Sequence, residues 1–251
     1  LIVGQCIGAG ALAAVGSAYT LMVFLISVLL GLAMGSGTVF SLHYGAGNHV
    51  ALRRSIFSSF VLIGIVTLIL NVAVFIWLDP ILRLLQVPQD IYGMMRSYSW
   101  IIFCGIVFTF IYNFYASLLR AVGDSVTPLW FLAVSVVLNI ALDLFFILQL
   151  DWGIQGAAAA TVLAQGVAAL GIIIYTYRRR PELRWHHEDM CFDRTCLKEI
   201  ASFSTLTCVQ QSVMNLGILM IQGLVNSFGT AVMAAFAAAV KIDSFAYMPV
   251  Q

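Results

Sequence analysis

The chain has 251 residues, of which 62% are hydrophobic and only 9% are Asp, Glu, Lys or Arg, and its formal net charge is +1. A soluble domain keeps about a quarter of its residues charged, so a mean hydropathy of +1.01 excludes a water-soluble fold. The absence of a massed basic face argues against nucleic acid as a partner.

Apolar runs of ~20 residues or more cover the ~30 Å hydrocarbon core of a bilayer at 1.5 Å per residue and predict an all-α polytopic membrane protein. Leu1-Ile2-Val3-Gly4-Gln5 has neither a charged n-region nor a small-residue cleavage site, so it does not read as a signal peptide. In chain order the predicted spans are Leu12–Tyr44, Ser55–Leu78, Tyr98–Leu119, Pro128–Leu150, Ile154–Tyr177 and Ile200–Asn226, with another running from Thr230 to Gln251. The first is too long for one crossing, so its C-terminal part, where Gly35, Ser36, Gly37 and Ser41 crowd together, is expected to bend or project from the bilayer. Within it, Gly31-x-x-x-Gly35 predicts close helix contact. Asp79–Asp90 reads as a short interfacial piece.

Arg53 and Arg54, then Arg120, then Arg178 through Lys198 fall in alternate loops. By the positive-inside bias, loops 45–54, 120–127 and 178–199 are expected to be cytoplasmic. Gly8-x-x-x-Leu12-Ala13-Ala14 recurs as Gly229-x-x-x-Met233-Ala234-Ala235 at an offset of 221 residues. That offset equals six helices, so the repeats share one orientation. Nearly all of one helix is then expected before Leu1 and about four and a half after Gln251. The division is 1–178 for the N-terminal lobe, 179–199 for a cytoplasmic linker and 200–251 for the start of the C-terminal lobe.

Asp143 lies well inside Pro128–Leu150, where an aspartate costs roughly 2.5–3.5 kcal/mol. Asn139 is one helical turn earlier on the same face. The next hairpin turn centres near Trp152, so Thr161 stands as far after it as Asp143 stands before it, and the two share a depth. Asn139, Asp143 and Thr161 form a set of oxygen ligands suited to a proton or a sodium ion, although a packing role for Asp143 also fits. Ser204, Thr207, Gln211, Asn215 and Gln222 lie on one stripe of their helix, facing a hydrated cavity or acting as interhelical glue. Asn113 in the Tyr98–Leu119 span, with Lys241 and Asp243 in the last span, completes the candidate cavity set.

His186, His187, Cys191 and Cys196 match no usual zinc spacing and read as a solvated linker, so no metal site is expected there. The five cysteines, which also include Cys6, Cys104 and Cys208, read as free thiols. No P-loop or nucleophile elbow is present, and the chain does not read as an enzyme.

Val3-Gly4-Gln5 through Ala11-Leu12-Ala13-Ala14-Val15-Gly16, Tyr44-Gly45-Ala46-Gly47-Asn48, Leu119-Arg120-Ala121-Val122-Gly123-Asp124, Asn139-x-x-x-Asp143, Gly153-Ile154-Gln155-Gly156-Ala157-Ala158, Asn226-Ser227-Phe228-Gly229 and Lys241-Ile242-Asp243 together resemble the multidrug and toxic compound extrusion (MATE) family, in its DinF-like bacterial branch. The resemblance implies a two-lobed, twelve-helix antiporter of the bacterial inner membrane, monomeric when complete. It exports amphipathic or cationic compounds in exchange for H+ or Na+, with no organic cofactor and with lipids around it. It assigns Asn139, Asp143 and Thr161 to the cation site of the N-terminal lobe. A C-lobe site of the kind some branches carry is not implied, because Gln210 and Gln211 stand where those branches have an acid. The rival reading within transport is a flippase for lipid-linked oligosaccharides or peptidoglycan precursors.

Overall fold

The computed structural model describes residues 9–84, 89–185 and 194–227. They form α1 (Ala9–Gly45), α2 (His49–Leu84), α3 (Gln89–Cys104), α4 (Ile106–Ala121), α5 (Val126–Leu144), α6 (Gly153–Arg179) and α7 (Arg194–Ser227), with a wider π-type turn, Phe145–Gln149, closing α5. No strand occurs among the described residues. Four of these helices are long and apolar enough to cross a membrane, or five if α3 and α4 count as one broken span. The predicted span from Thr230 lies outside the described residues. Residues Leu1–Cys208 make one compact unit, and Val209–Gln251 a second whose described part is the continuation of α7.

The predicted first span is one uninterrupted helix. Its small residues are seats for neighbouring helices. On one side Ser117 of α4 donates to the Ala33 carbonyl at 2.8 Å, and the same hydroxyl lies 2.4 Å from where a Cβ on Gly37 would stand. On another, a Cβ on Gly35 would fall 2.4 Å from the Ser204 Cα, and one on Gly31 would fall 2.8 Å from the Cys208 sulfur. Backbone therefore meets backbone between α1 and α7, the close approach that the Gly31-x-x-x-Gly35 spacing predicts.

Two further expectations are revised. Asp79 does not sit in a separate interfacial piece, because α2 runs through Pro80 to Leu84; its carboxylate accepts from Arg96 Nε and Tyr92 Oη, both at 2.8 Å. The Tyr98–Leu119 span is two helices meeting at 45° around Gly105. A Cβ there would meet Val162 Cγ2 at 2.5 Å, and Asn71 of α2 donates to the Phe103 carbonyl at 3.1 Å beside the break. The kink thus has a wedge from α6 and a hydrogen-bond partner from α2.

The core between α1, α2 and α4 is aromatic. Phe40, Phe60, Phe110 and Phe114 pack at centroid distances of 5.2–6.0 Å. At the arginine-rich end the chain leaving α6 turns back onto the bundle: Leu183 is buried, Arg184 donates to the Tyr177 carbonyl at 2.7 Å, and the Trp185 ring lies 5.2 Å from that of Phe60. Cys196, expected in a solvated linker, is buried, 3.1 Å from the Ser55 hydroxyl. His186, His187 and Cys191 lie outside the described residues. Among the described cysteines, Cys104, Cys196 and Cys208 are free.

Candidate cation site and cavity

Three helices each contribute a polar pair one turn apart, which places both members on one face: Thr109 and Asn113 on α4, Ser135 and Asn139 on α5, Thr161 and Gln165 on α6. Together with Ile26, Tyr112, Leu132 and Val136 they line a cavity of about 350 Å³. Alanine supplies the rest of the α6 wall at Ala164 and Ala168, so helix backbones leave space that larger side chains would fill. Among the described residues, no acidic or basic side chain lines this cavity.

Its polar groups are partly spoken for. Asn139 Nδ2 donates to Thr161 Oγ1 at 3.2 Å, and that hydroxyl donates to the Ala157 carbonyl at 3.0 Å. Thr109 bonds to Gln165, Asn113 donates to the Thr109 carbonyl and Tyr112 donates to the Pro128 carbonyl. Asp143, one turn from Asn139, stands outside the cavity lining. Its Oδ1 is buried and meets no hydrogen-bond partner in the protein. Tyr98 of α3 lies near enough to sense its charge. The hairpin of α5 and α6 therefore brings Asn139 to Thr161 directly, with Asp143 adjoining the pair and an orphaned carboxylate oxygen beside it.

Of the other candidates, Thr207 donates to its own helix at the Phe203 carbonyl, 2.8 Å away, and Ser204 is glue, donating to the Leu32 carbonyl at 3.3 Å. Gln211 is half-buried. The side chains of Asn215 and Gln222, and all of Lys241 and Asp243, lie outside the described residues. Sequence reasoning missed Thr109, Tyr112, Ser135 and Gln165. Three of these were detectable, because each is one turn from a residue already singled out.

These apolar spans and the neutral cavity between them define a multi-pass α-helical membrane protein. The chain belongs to the MatE family, whose model matches residues 1–145. It is 32% identical to the probable multidrug resistance protein YpnP of Bacillus subtilis over 99% of this chain and 56% of that protein. It is 29% identical to the probable multidrug resistance protein YoeA of the same organism, over 99% of this chain and 55% of that one. The solved structure of a variant of the Vibrio cholerae MATE transporter VcmN superposes with a TM-score of 0.89 at 26% identity, covering 98% of this chain and 56% of the other. The chain thus spans about half the length of the curated relatives it matches. VcmN is a transporter, in keeping with the reading that this chain is not an enzyme.

Proposed function

We propose that the whole protein is a secondary active antiporter of the bacterial plasma membrane that exports amphipathic or cationic compounds in exchange for H+ or Na+, with the coupling ion held at Asp143, Asn139 and Thr161. The observation that carries this is the buried, unpartnered Oδ1 of Asp143 one turn from the Asn139–Thr161 hydrogen bond. A carboxylate so placed needs a neutralising partner, and a proton or a sodium ion supplies one. The amides and hydroxyls of Asn139 and Thr161 are neutral oxygen donors of the kind a hard cation takes. The adjoining cavity, with hydroxyls and amides on an apolar frame, suits one end of an amphipathic molecule. Ion and compound then share the α5–α6 wall, so occupancy by one biases the state that binds the other.

One charge moving through 100 mV is worth ~2.3 kcal/mol, about a fiftyfold bias per ion. In proteoliposomes carrying the full-length protein under an imposed proton or sodium gradient, Asp143→Asn is expected to abolish concentrative export. Asn139→Ala and Thr161→Val, which keep the charge, are expected to weaken it less. Wild-type pumping by Asp143→Asn under both gradients would remove Asp143 from the coupling site.

A further inference from the structure

Among the described residues, the arginine-rich end holds more cations than acids, and its acids are engaged. Arg180 faces Asp124 at 3.8 Å and Glu182 at 3.5 Å, and Glu199 stands opposite His43 at 3.7 Å. Arg120 and Arg184 each donate to a carbonyl, of Ala116 and of Tyr177. Arg54, in the second turn of α2, has neither kind of partner. Its Nε is buried and meets no hydrogen-bond partner in the protein, and it belongs to none of the ion pairs among the described residues. One turn further along α2, the buried Ser58 hydroxyl is also without a partner, whereas Ser36 and Ser41 turn theirs back to their own helix. Around α2, at about 100° per residue, this pair falls between two contacts that act as walls. On one side Ser55 meets Cys196 of α7 at 3.1 Å, and on the other the Phe57 ring lies 6.0 Å from that of Trp185.

The same stripe of α2 continues as Val61, Ile65 and Leu68, at spacings of three and four residues. Ile65 and Leu68 are exposed, and Leu68 opens an apolar groove that runs on through Ile69, Val72 and Ile76. At 1.5 Å per residue Leu68 lies about 21 Å along the axis from Arg54, close to half the ~40–45 Å thickness of a bilayer with its headgroups. We propose that Arg54 and Ser58 hold the phosphate of an anionic phospholipid whose acyl chain lies along Val61, Ile65 and Leu68. The guanidinium fork and the hydroxyl match the free oxygens of a phosphodiester, which supplies the counter-charge that a partly buried cation lacks. Arg53, Arg178 and Arg179 at the same end repel the ammonium of a zwitterionic headgroup and so favour a net negative lipid. The inference goes beyond the antiport reading and stands without it.

Native mass spectrometry of the detergent-solubilised full-length protein, titrated with phosphatidylglycerol or phosphatidylcholine, tests this. The wild type is expected to hold phosphatidylglycerol at least about tenfold more tightly than phosphatidylcholine. Arg54→Gln is expected to weaken phosphatidylglycerol binding by about tenfold or more, and Ser58→Ala by about threefold. Arg179→Gln, which removes an exposed arginine at the same end, is expected to change it by less than about twofold. A wild type with no preference for phosphatidylglycerol means that Arg54 is paired within the whole protein, and overturns the proposal. Equal losses in Arg54→Gln and Arg179→Gln describe a diffuse basic surface and overturn it too. Inorganic phosphate at the same concentration is expected to leave the bound lipid in place; displacement assigns a soluble phosphate ligand and overturns the lipid. Should Arg54→Gln fail to fold, Arg54→Lys keeps the charge without the fork and is expected to weaken binding about threefold, an unchanged affinity again overturning the site.

Discussion

α1 presents two unlike faces to its neighbours. Toward α2 and α4 it inserts Phe40 edge-on against Phe114 at 5.9 Å, and Phe114 in turn meets Phe60 at 5.2 Å. Toward α7 it offers Gly31 and Gly35, and the partner atoms are backbone, one hydroxyl and one thiol. Interlocked rings cannot slide or separate without opening voids that nothing fills, whereas two smooth ridges part along their length. One helix is therefore interlocked on one side and smoothly packed on the other, and residue size sets which side is which.

The contrast breaks first at Phe114, which is fully buried and touches Phe40, Phe60, Phe110 and Tyr115. Phe114→Ala is expected to cost about 3–5 kcal/mol of stability, read as a large fall in the thermal midpoint of the detergent-solubilised full-length protein. A cost below ~1 kcal/mol would mean that the aromatic side is not the fixed one.

Gly105 sharpens the comparison within the fixed part. Gly105→Ala pushes a methyl against Val162, whose branched side chain is stiff, at an expected cost of about 1–3 kcal/mol. Val162→Ala in the same protein is expected to recover most of that. Additive costs in the double variant would show that the kink is not held by this contact.

Composition and periodicity were enough to read the helical membrane fold, because bilayer thickness and backbone satisfaction leave few alternatives. The Gly31-x-x-x-Gly35 contact was legible for a similar reason, since only one arrangement uses two missing side chains a turn apart. The break at Gly105 was not legible: its cause is Val162 on α6 and Asn71 on α2, both remote in sequence. At the candidate site, hairpin symmetry put Asp143 level with Thr161, whereas the residue that meets Thr161 is Asn139, one turn away. The hydrogen bond that joins Asn139 to Thr161 and leaves Asp143 beside them depends on rotamers and helix rotation, which spacing does not determine. Cys196 misled because a polar, His- and Cys-containing stretch reads as solvated, while the return of Trp185 onto Phe57 and Phe60 and the start of α7 at Arg194 bring it inside.

A smaller, pH-dependent effect is expected where the fixed bundle is tied at its arginine end. Asp124 accepts from the Thr127 amide at 3.1 Å and hydroxyl at 2.9 Å, from Tyr175 at 3.4 Å, and faces Arg180 at 3.8 Å. Burial pushes its carboxyl up, but the Thr127 bonds, Arg180 and Tyr175 together hold it below the ordinary carboxylate value. A lowered folded-state value means stability that is present above about pH 4, the unfolded carboxylate value, and is lost as pH falls through the folded one. The gap in thermal midpoint between wild type and Asp124→Asn is therefore expected to be widest near neutral pH and to close on acidification below about pH 4. A gap independent of pH would assign the turn to packing.

The smallest effect belongs to Ser204, and its smallness is what a smooth, backbone-to-backbone face requires. The residue is buried at 1% exposure and its hydroxyl reaches the Leu32 carbonyl at a long 3.3 Å, so Ser204→Ala removes one weak interhelical bond and leaves the backbone contact with Gly35 intact. Such bonds between membrane helices average about 0.6 kcal/mol, and the carbonyl left behind retains Ser36. Ser204→Ala is thus expected to shift the thermal midpoint barely, and Ser204→Leu, which adds bulk to a contact already at van der Waals limits, to shift it several times more. If Ser204→Ala instead costs more than about 2 kcal/mol, the contact between α1 and α7 is a hydrogen-bonded lock. The difference between the two faces of α1 would then be one of chemistry and not of strength.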